Sequence, residues 1–139
     1  MHRKLGLNRL LLTGLITLLV SACSSTPTEQ ELANSFADQR ADMLSRVVPI
    51  DMDGYRLIKA KANESNIELT MLFGGEQGKR QPDELYQGMT KRYCRDTEIL
   101  SLMENGVTYT LLVRDQRGRK LFERPISLSN CSGVVGEKS

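Results

Sequence analysis

Apolar positions along this chain follow three spacings in turn. They first form an eleven-residue run from Leu10 to Val20, behind a basic segment holding His2, Arg3, Lys4 and Arg9. Such a run is too short to cross the roughly 30 Å of a bilayer core as a stable helix, which takes about 20 residues. A basic flank, a short apolar core and small residues at its end, here Ser21 and Ala22, mark a secretory leader. Helical spacing follows: Leu32, Phe36, Met43 and Val47, with Ala33, Ala37 and Leu44 beside them, share one face. Asp38, Gln39, Arg40, Asp42 and Arg46 lie mostly opposite. Thr28 and Glu31 form a Thr-x-x-Glu capping box that starts this helix, and Pro49 ends it. The apolar face is expected to pack on the domain's own core; a helix offered to a partner is the alternative.

Alternation then takes over. Asp51 to Gly54 reads as a turn, and it lacks the further ligands and closing Glu of a calcium loop. Tyr55 to Lys61 and Ile67 to Phe73 form a hairpin about Glu64-Ser65. A two-residue turn there pairs Lys61 with Glu68 and Leu57 with Leu72. Ile58, Ala60, Leu69, Met71 and Phe73 then fall on the core face, an assignment that a one-residue slip would invert. Gly74 to Arg80 reads as a flexible connection, since Phe73 and Arg80 occupy positions where a phosphate loop needs Gly and Ser or Thr. Gln81 and Pro82 open a helix from Asp83 to Cys94, with acids in its first turn and Lys91 and Arg92 in its last, as the helix dipole favours. Leu85, Met89 and Tyr93 are its inward stripe. Asp96 caps a third helix through Leu102 that ends near Asn105-Gly106. Val107 to Arg114 and Arg119 to Ile126 are a second hairpin around Asp115 to Gly118. It sets Leu111 against Phe122 and Val107 against Ile126, with Leu112 and Leu121 opposed on the other face. Pro125 places the last strand at an edge, or ends it. The sum is an α+β domain: an antiparallel sheet of four to five strands with helices packed on one face, preceded by the N-terminal helix.

The leader closes on Leu19-Val20-Ser21-Ala22-Cys23, which resembles the lipobox of bacterial lipoproteins. That likeness implies cleavage before Cys23 and acylation of its thiol; an ordinary leader with a nearby cysteine is the alternative. Each buried methylene contributes about 0.8 kcal/mol, and stable anchoring takes more than one chain, which a triacylated Cys23 supplies. Ser24, rather than Asp, after the cysteine implies passage through the lipoprotein sorting machinery to the outer membrane. The chain thus divides into a leader (1–22), a tether (23–28) and a single domain (29–139).

Removing the leader leaves 117 residues with 16 Lys and Arg against 17 Asp and Glu, so no basic surplus remains to attract nucleic acid. Cys94 and Cys131 are left in an oxidising compartment, where one bridge is the natural reading and two free thiols the alternative. No metal or other cofactor is expected, because the sole His is in the leader and no CxxC pair exists. Catalysis is not expected either: His is lacking, no acid pair stands out, and nothing orders Ser and Lys into a dyad.

Val48-Pro49-Ile50, Gly54-Tyr55, Gln81-Pro82-Asp83, Tyr93-Cys94, Gly106-Val107-Thr108-Tyr109 and Asn130-Cys131, taken in order, resemble the AspS-type pilotins. These are small outer-membrane lipoproteins of type II secretion systems, and the likeness runs from about Ser45 to Gly133. It implies binding to the C-terminal segment of a secretin, an amphipathic stretch that folds to a helix on binding. It also implies delivery of secretin subunits to the outer membrane, where they assemble into a multimer. By the same likeness Cys23 is the lipid attachment and Cys94 and Cys131 form the disulfide. Other classes are a periplasmic inhibitor lipoprotein of the lysozyme-inhibitor kind, whose scaffold is chiefly β, and a structural envelope lipoprotein. From the residues alone, the outer sheet face keeps Leu57, Leu72, Leu112 and Leu121 among Thr and Lys. That is an apolar floor with a polar rim, as a helix-in-groove partner requires; scattered exposed leucines are the plainer alternative.

Overall fold

Thr28 starts α1 (Glu29–Ser45) by the reciprocal bonding its sequence encodes. The Thr28 N–H donates to the Glu31 carboxylate at 2.7 Å, and the Glu31 N–H donates to the Thr28 hydroxyl oxygen at 3.2 Å. These bonds hold the Glu31 carboxyl below its ordinary value, the Thr28 backbone N–H contributing most. The computed structural model describes residues 25–74 and 80–133. The lipobox with Cys23, the sorting residue Ser24 and the expected flexible connection at 75–79 lie outside them.

α1 seats on the sheet through Ala33, Ala37 and Ala41. The expected large-residue stripe is therefore corrected: Leu32, Met43 and Val47 are exposed, Val47 by 59%, while Phe36 and Leu44 are half-buried at the seam. Alanine lets the helix backbone approach the strands, and the buried face is rotated by about one residue position, roughly 100°. Arg40, expected on the solvent side, turns inward with it and bonds the Glu98 carboxylate at 2.9 Å.

After a cis Val48–Pro49 bond the chain forms β1 (Ile50–Met52), where only a turn was expected, and reverses at Asp53-Gly54 with both φ positive. β2 (Tyr55–Asn63) and β3 (Asn66–Phe73) follow, joined at Glu64-Ser65. Beyond β3 come α2 (Pro82–Tyr93), α3 (Thr97–Glu104), β4 (Thr108–Arg114), β5 (Lys120–Ile126) and a single 3₁₀ turn (Leu128–Cys131). Strand order is β1-β2-β3-β4-β5. The sheet is mixed, not antiparallel throughout, because β3 and β4 run parallel. Parallel neighbours require a crossover, and α2 with α3 is that crossover.

Register explains a second correction. Lys61 pairs with Glu68 as the turn dictates, but the ladder shifts between Leu57 and Lys59, so Leu57 opposes Met71 instead of Leu72. The bulge absorbs Ile58 and reverses parity in the first half of β2. Leu57 is consequently a core residue at 3% exposed, and Ile58 is turned outward at 37%. The β4–β5 ladder is displaced by two residues from expectation, with Val113 opposite Phe122, Tyr109 opposite Ile126, and Leu112 opposite Glu123. A two-residue displacement preserves faces. One residue of it arises at the turn, where the Asp115 carboxylate gathers the Arg117 and Arg119 N–H groups at 2.9 Å each, and the other at a bulge beside Val113 and Arg114 that leaves Leu121 unpaired.

The core lies between the sheet and the helices. Tyr55, Leu57, Leu69, Met71, Leu111 and Val113 meet Leu85, Met89, Ile99 and Met103 there. Cys94, at the end of α2, is bonded to Cys131 in the 3₁₀ turn beyond β5, closing 37 residues. Loop-closure entropy for that length corresponds to about 4 kcal/mol. At the opposite end Gly74 donates its N–H to the Gly54 carbonyl at 3.1 Å.

A Cβ at Gly74 would stand 2.9 Å from the Gly54 oxygen. Gly74→Ala is expected to lower stability by about 1–3 kcal/mol in thermal melting, while Gly133→Ala, with nothing within 4 Å, leaves it unchanged. Replacing Cys94 and Cys131 together by Ala is expected to cost about 2–4 kcal/mol, read as a lowered urea midpoint.

Candidate functional site

The sheet face turned away from the helices is the candidate partner surface, and its residues follow from the register. Three rows cross it. Lys61, Glu68, Thr110 and Pro125 form the first; Lys59, Thr70, Leu112 and Glu123 the second; Arg56, Leu72, Arg114 and Lys120 the third. An apolar floor thus sits on the two central strands, with charge at both margins. Thr70 and Leu112, the latter 5% exposed, are sunk between their neighbours, and Leu72 is half-buried diagonally from Leu112. Leu121 stands 47% exposed at the β5 margin. There it lines a shallow depression of about 590 Å³ with Thr110, Phe122 and Pro125.

Of the four leucines expected on this face, the structure brings Leu72, Leu112 and Leu121 to it and takes Leu57 into the core. Several charges of the rim are already matched. Arg56 bonds Asp51 at 2.7 Å, and Lys120 bonds Glu123 at 2.6 Å. Lys59 and Lys61 have no carboxylate within 4 Å among the described residues. A cleft of about 630 Å³ continues the face beyond Leu72, between the Asp53-Gly54 turn, Phe73 and Gln116. Among the described residues no group of three His, Cys, Asp or Glu side chains comes together.

A second cluster lies under the helices, and nothing in the spacing of its members announced it. The Tyr93 and Tyr109 rings meet edge to face, with centroids 4.9 Å apart. Arg40 lies near both, and its Nε and the Tyr109 hydroxyl are buried without a hydrogen-bond partner among the described residues. Burial pushes both phenols upward in pKa, and at Tyr93 the Tyr109 phenol adds to it, while the Arg40 guanidinium pulls both back. The signal available in the sequence was the shared helical phase of Arg40 with Ala33 and Ala37, which an aliphatic pattern does not weigh.

A family model described as "Type II secretion system (T2SS) pilotin, S protein" matches residues 29–131. The chain belongs to the type II secretion system pilotin family. It is of the AspS type. The pilotin is 26% identical over 121 residues to Pilotin AspS 2 of Escherichia coli O78:H11, strain H10407, with 86% of each chain covered. It is equally similar to Lipoprotein YghG of Escherichia coli K12, at 26% over 121 residues and 86% of each chain. Its fold matches the solved pilotin EpsS of the Vibrio vulnificus type 2 secretion system with a TM-score of 0.70 and 20% identity, covering 75% of this chain and 96% of that one. The Vibrio cholerae pilotin AspS superposes with a TM-score of 0.68 at 22% identity, covering 74% and 95%.

Because burial raises the folded pKa of Tyr93 and Tyr109, the pilotin keeps their protons at pH values where the unfolded chain releases them. The stability tied to these phenols is complete below about pH 10, the ordinary tyrosine value, and declines as pH rises above it. Tyr93→Phe is expected to flatten that alkaline decline in urea titrations run from neutral to alkaline pH.

Proposed function

We propose that this pilotin is a non-catalytic outer-membrane lipoprotein that binds the C-terminal segment of a secretin. Carried on its lipid anchor, the segment brings secretin subunits to the outer membrane for multimer assembly there. Cys23 is the acylated residue, the lipoprotein sorting machinery delivers the protein to the periplasmic leaflet, and the domain begins at residue 29 beyond a short tether. The reading rests on membership of the pilotin family and on one structural observation. That observation is the patch of Thr70, Leu72 and Leu112 on a sheet face that carries no helix among the described residues.

Dimensions support a helical occupant. Neighbouring strands lie about 4.8 Å apart, so β3 and β4 with their flanks offer a floor about as wide as a helix with its side chains, roughly 10 Å. An amphipathic helix would set apolar residues spaced at i and i+4 on Leu72 and Leu112 and reach Leu121 at the margin. Lys59 and Lys61 would meet acidic groups on its polar side. Folding on binding costs the segment conformational entropy, so a few well-filled contacts must carry the affinity.

Leu112 is too deep for a charge to test binding apart from folding, and Leu72 and Leu121 are the better probes. Leu72→Asp with Leu121→Asp is expected to weaken binding of the secretin's C-terminal peptide at least tenfold, about 1.4 kcal/mol, by titration calorimetry, with an unchanged melting temperature. Equal affinity in the double variant would remove this face from consideration.

A further inference from the structure

We infer that the C-terminal end of α2 is a docking surface for anionic lipid headgroups, which orients the tethered domain on its bilayer. The inference deepens the proposed function and rests on the reading of Cys23 as the acylated terminus.

Topology supplies the first observation. Gln30, at the start of α1, bonds the Ser65 hydroxyl in the β2–β3 turn at 3.3 Å. Ser65 also accepts the Thr108 N–H at the start of β4, at 3.0 Å. Tyr109, the next residue of β4, pairs with Ile126 at the end of β5. The Cys94–Cys131 bond then fastens the end of α2 to the turn that follows β5. The point where the tether joins the domain and the last turn of α2 therefore share one end of the molecule. The Asp53-Gly54 turn, Gly74 and the Asp115–Gly118 turn share the other. Five residues from Cys23 to Thr28 reach at most about 17 Å when fully extended. Thr28 is held within that reach of the anchor, and the α2 end lies at the same end of the domain.

Charge supplies the second. Lys91, Arg92 and Arg95 line a shallow groove of about 510 Å³ together with Gly88 and Asp96. All three cations are exposed, and none has a carboxylate within 4 Å among the described residues. Neighbouring acids are otherwise engaged. Asp96 accepts the Glu98 and Ile99 N–H groups at 3.0 Å each, capping α3, and Glu98 is bonded to Arg40. The helix dipole favours cations in the last turn of α2, yet Arg95 lies beyond that turn and adds to the same groove. Phosphodiester oxygens fit such a set, since guanidinium groups bond them in pairs and the ammonium adds a mobile charge. Glu29, Glu31 and Glu104 stand on the α1 side of this end, so an anionic surface draws the α2 side toward it and repels the other.

The test uses the processed chain carrying Cys23→Ser, so that no acyl group contributes, in co-sedimentation with vesicles. One set is phosphatidylglycerol mixed with phosphatidylethanolamine, and the other is phosphatidylcholine alone. Binding to the anionic set that fades with added salt is expected, with none to the zwitterionic set. Lys91→Gln, Arg92→Gln and Arg95→Gln together should lower the partition coefficient about a hundredfold, from about 1 kcal/mol per cation near the surface. The charge-keeping set Lys91→Arg, Arg92→Lys and Arg95→Lys should retain binding. Equal binding to both vesicle types, or indifference to the glutamine variant, overturns the inference. So does a glutamine variant that keeps its vesicle binding but loses the secretin peptide. Mass spectrometry of the processed terminus reports acylation separately, so failure of the anchor and failure of the patch are read by different instruments.

Discussion

Parallel strands cannot be joined by a tight turn. β3 leaves the sheet at Phe73, and β4 rejoins it beside Asn66 at the far end of the same strand. The chain between must therefore travel back along the sheet, and it does so as α2 and α3. Both helices lie on the face that α1 already covers, and their apolar sides merge with it into one core. Among the described residues, the other face is left to the strands alone. Crowded helices on one side and a bare, row-patterned surface on the other are two results of one pairing.

Within that frame α1 is attached by a narrow seam. Three alanines bring its backbone close to β2, and Arg40 pins its middle to α3 through Glu98. Alanine contributes little buried area for each residue, so the inward Arg40 and the two tyrosines beneath it carry more of the attachment than the aliphatic pattern suggests. Leu32, Met43 and Val47 remain on the shoulder of the helix, where they add little to the seam.

Local chemistry was readable from the residues, and non-local chemistry was not. The Thr28–Glu31 box, the Asp96 cap, Pro82 at the start of α2 and the Asp115 turn each depend on atoms within four positions of one another. Parity along β2 was ambiguous because Leu57 and Ile58 are adjacent and both apolar; only the bulge decides which is inside. Periodicity favoured the bulky residues of α1 over its alanines, since it weighs size and not closeness of approach. The parallel pairing depends on where a crossover returns, which no window of sequence contains. Leu72 and Leu112 fell on the expected face, Leu121 reaches it from an unpaired position at the β5 bulge, and Leu57 was lost to the one-residue bulge in β2.

The Cys94–Cys131 bond makes a covalent ring of α3, β4 and β5, leaving α1, α2 and β1 to β3 outside it. Under the proposed function, a domain tethered at its N-terminus with a partner on the bare sheet face would be under tension. That pull would enter through α1, which is seated on β2 and β3 by its alanine seam. The part without a covalent closure would yield first, while the ring, which carries Leu112 on β4 and Leu121 on β5, would keep its shape.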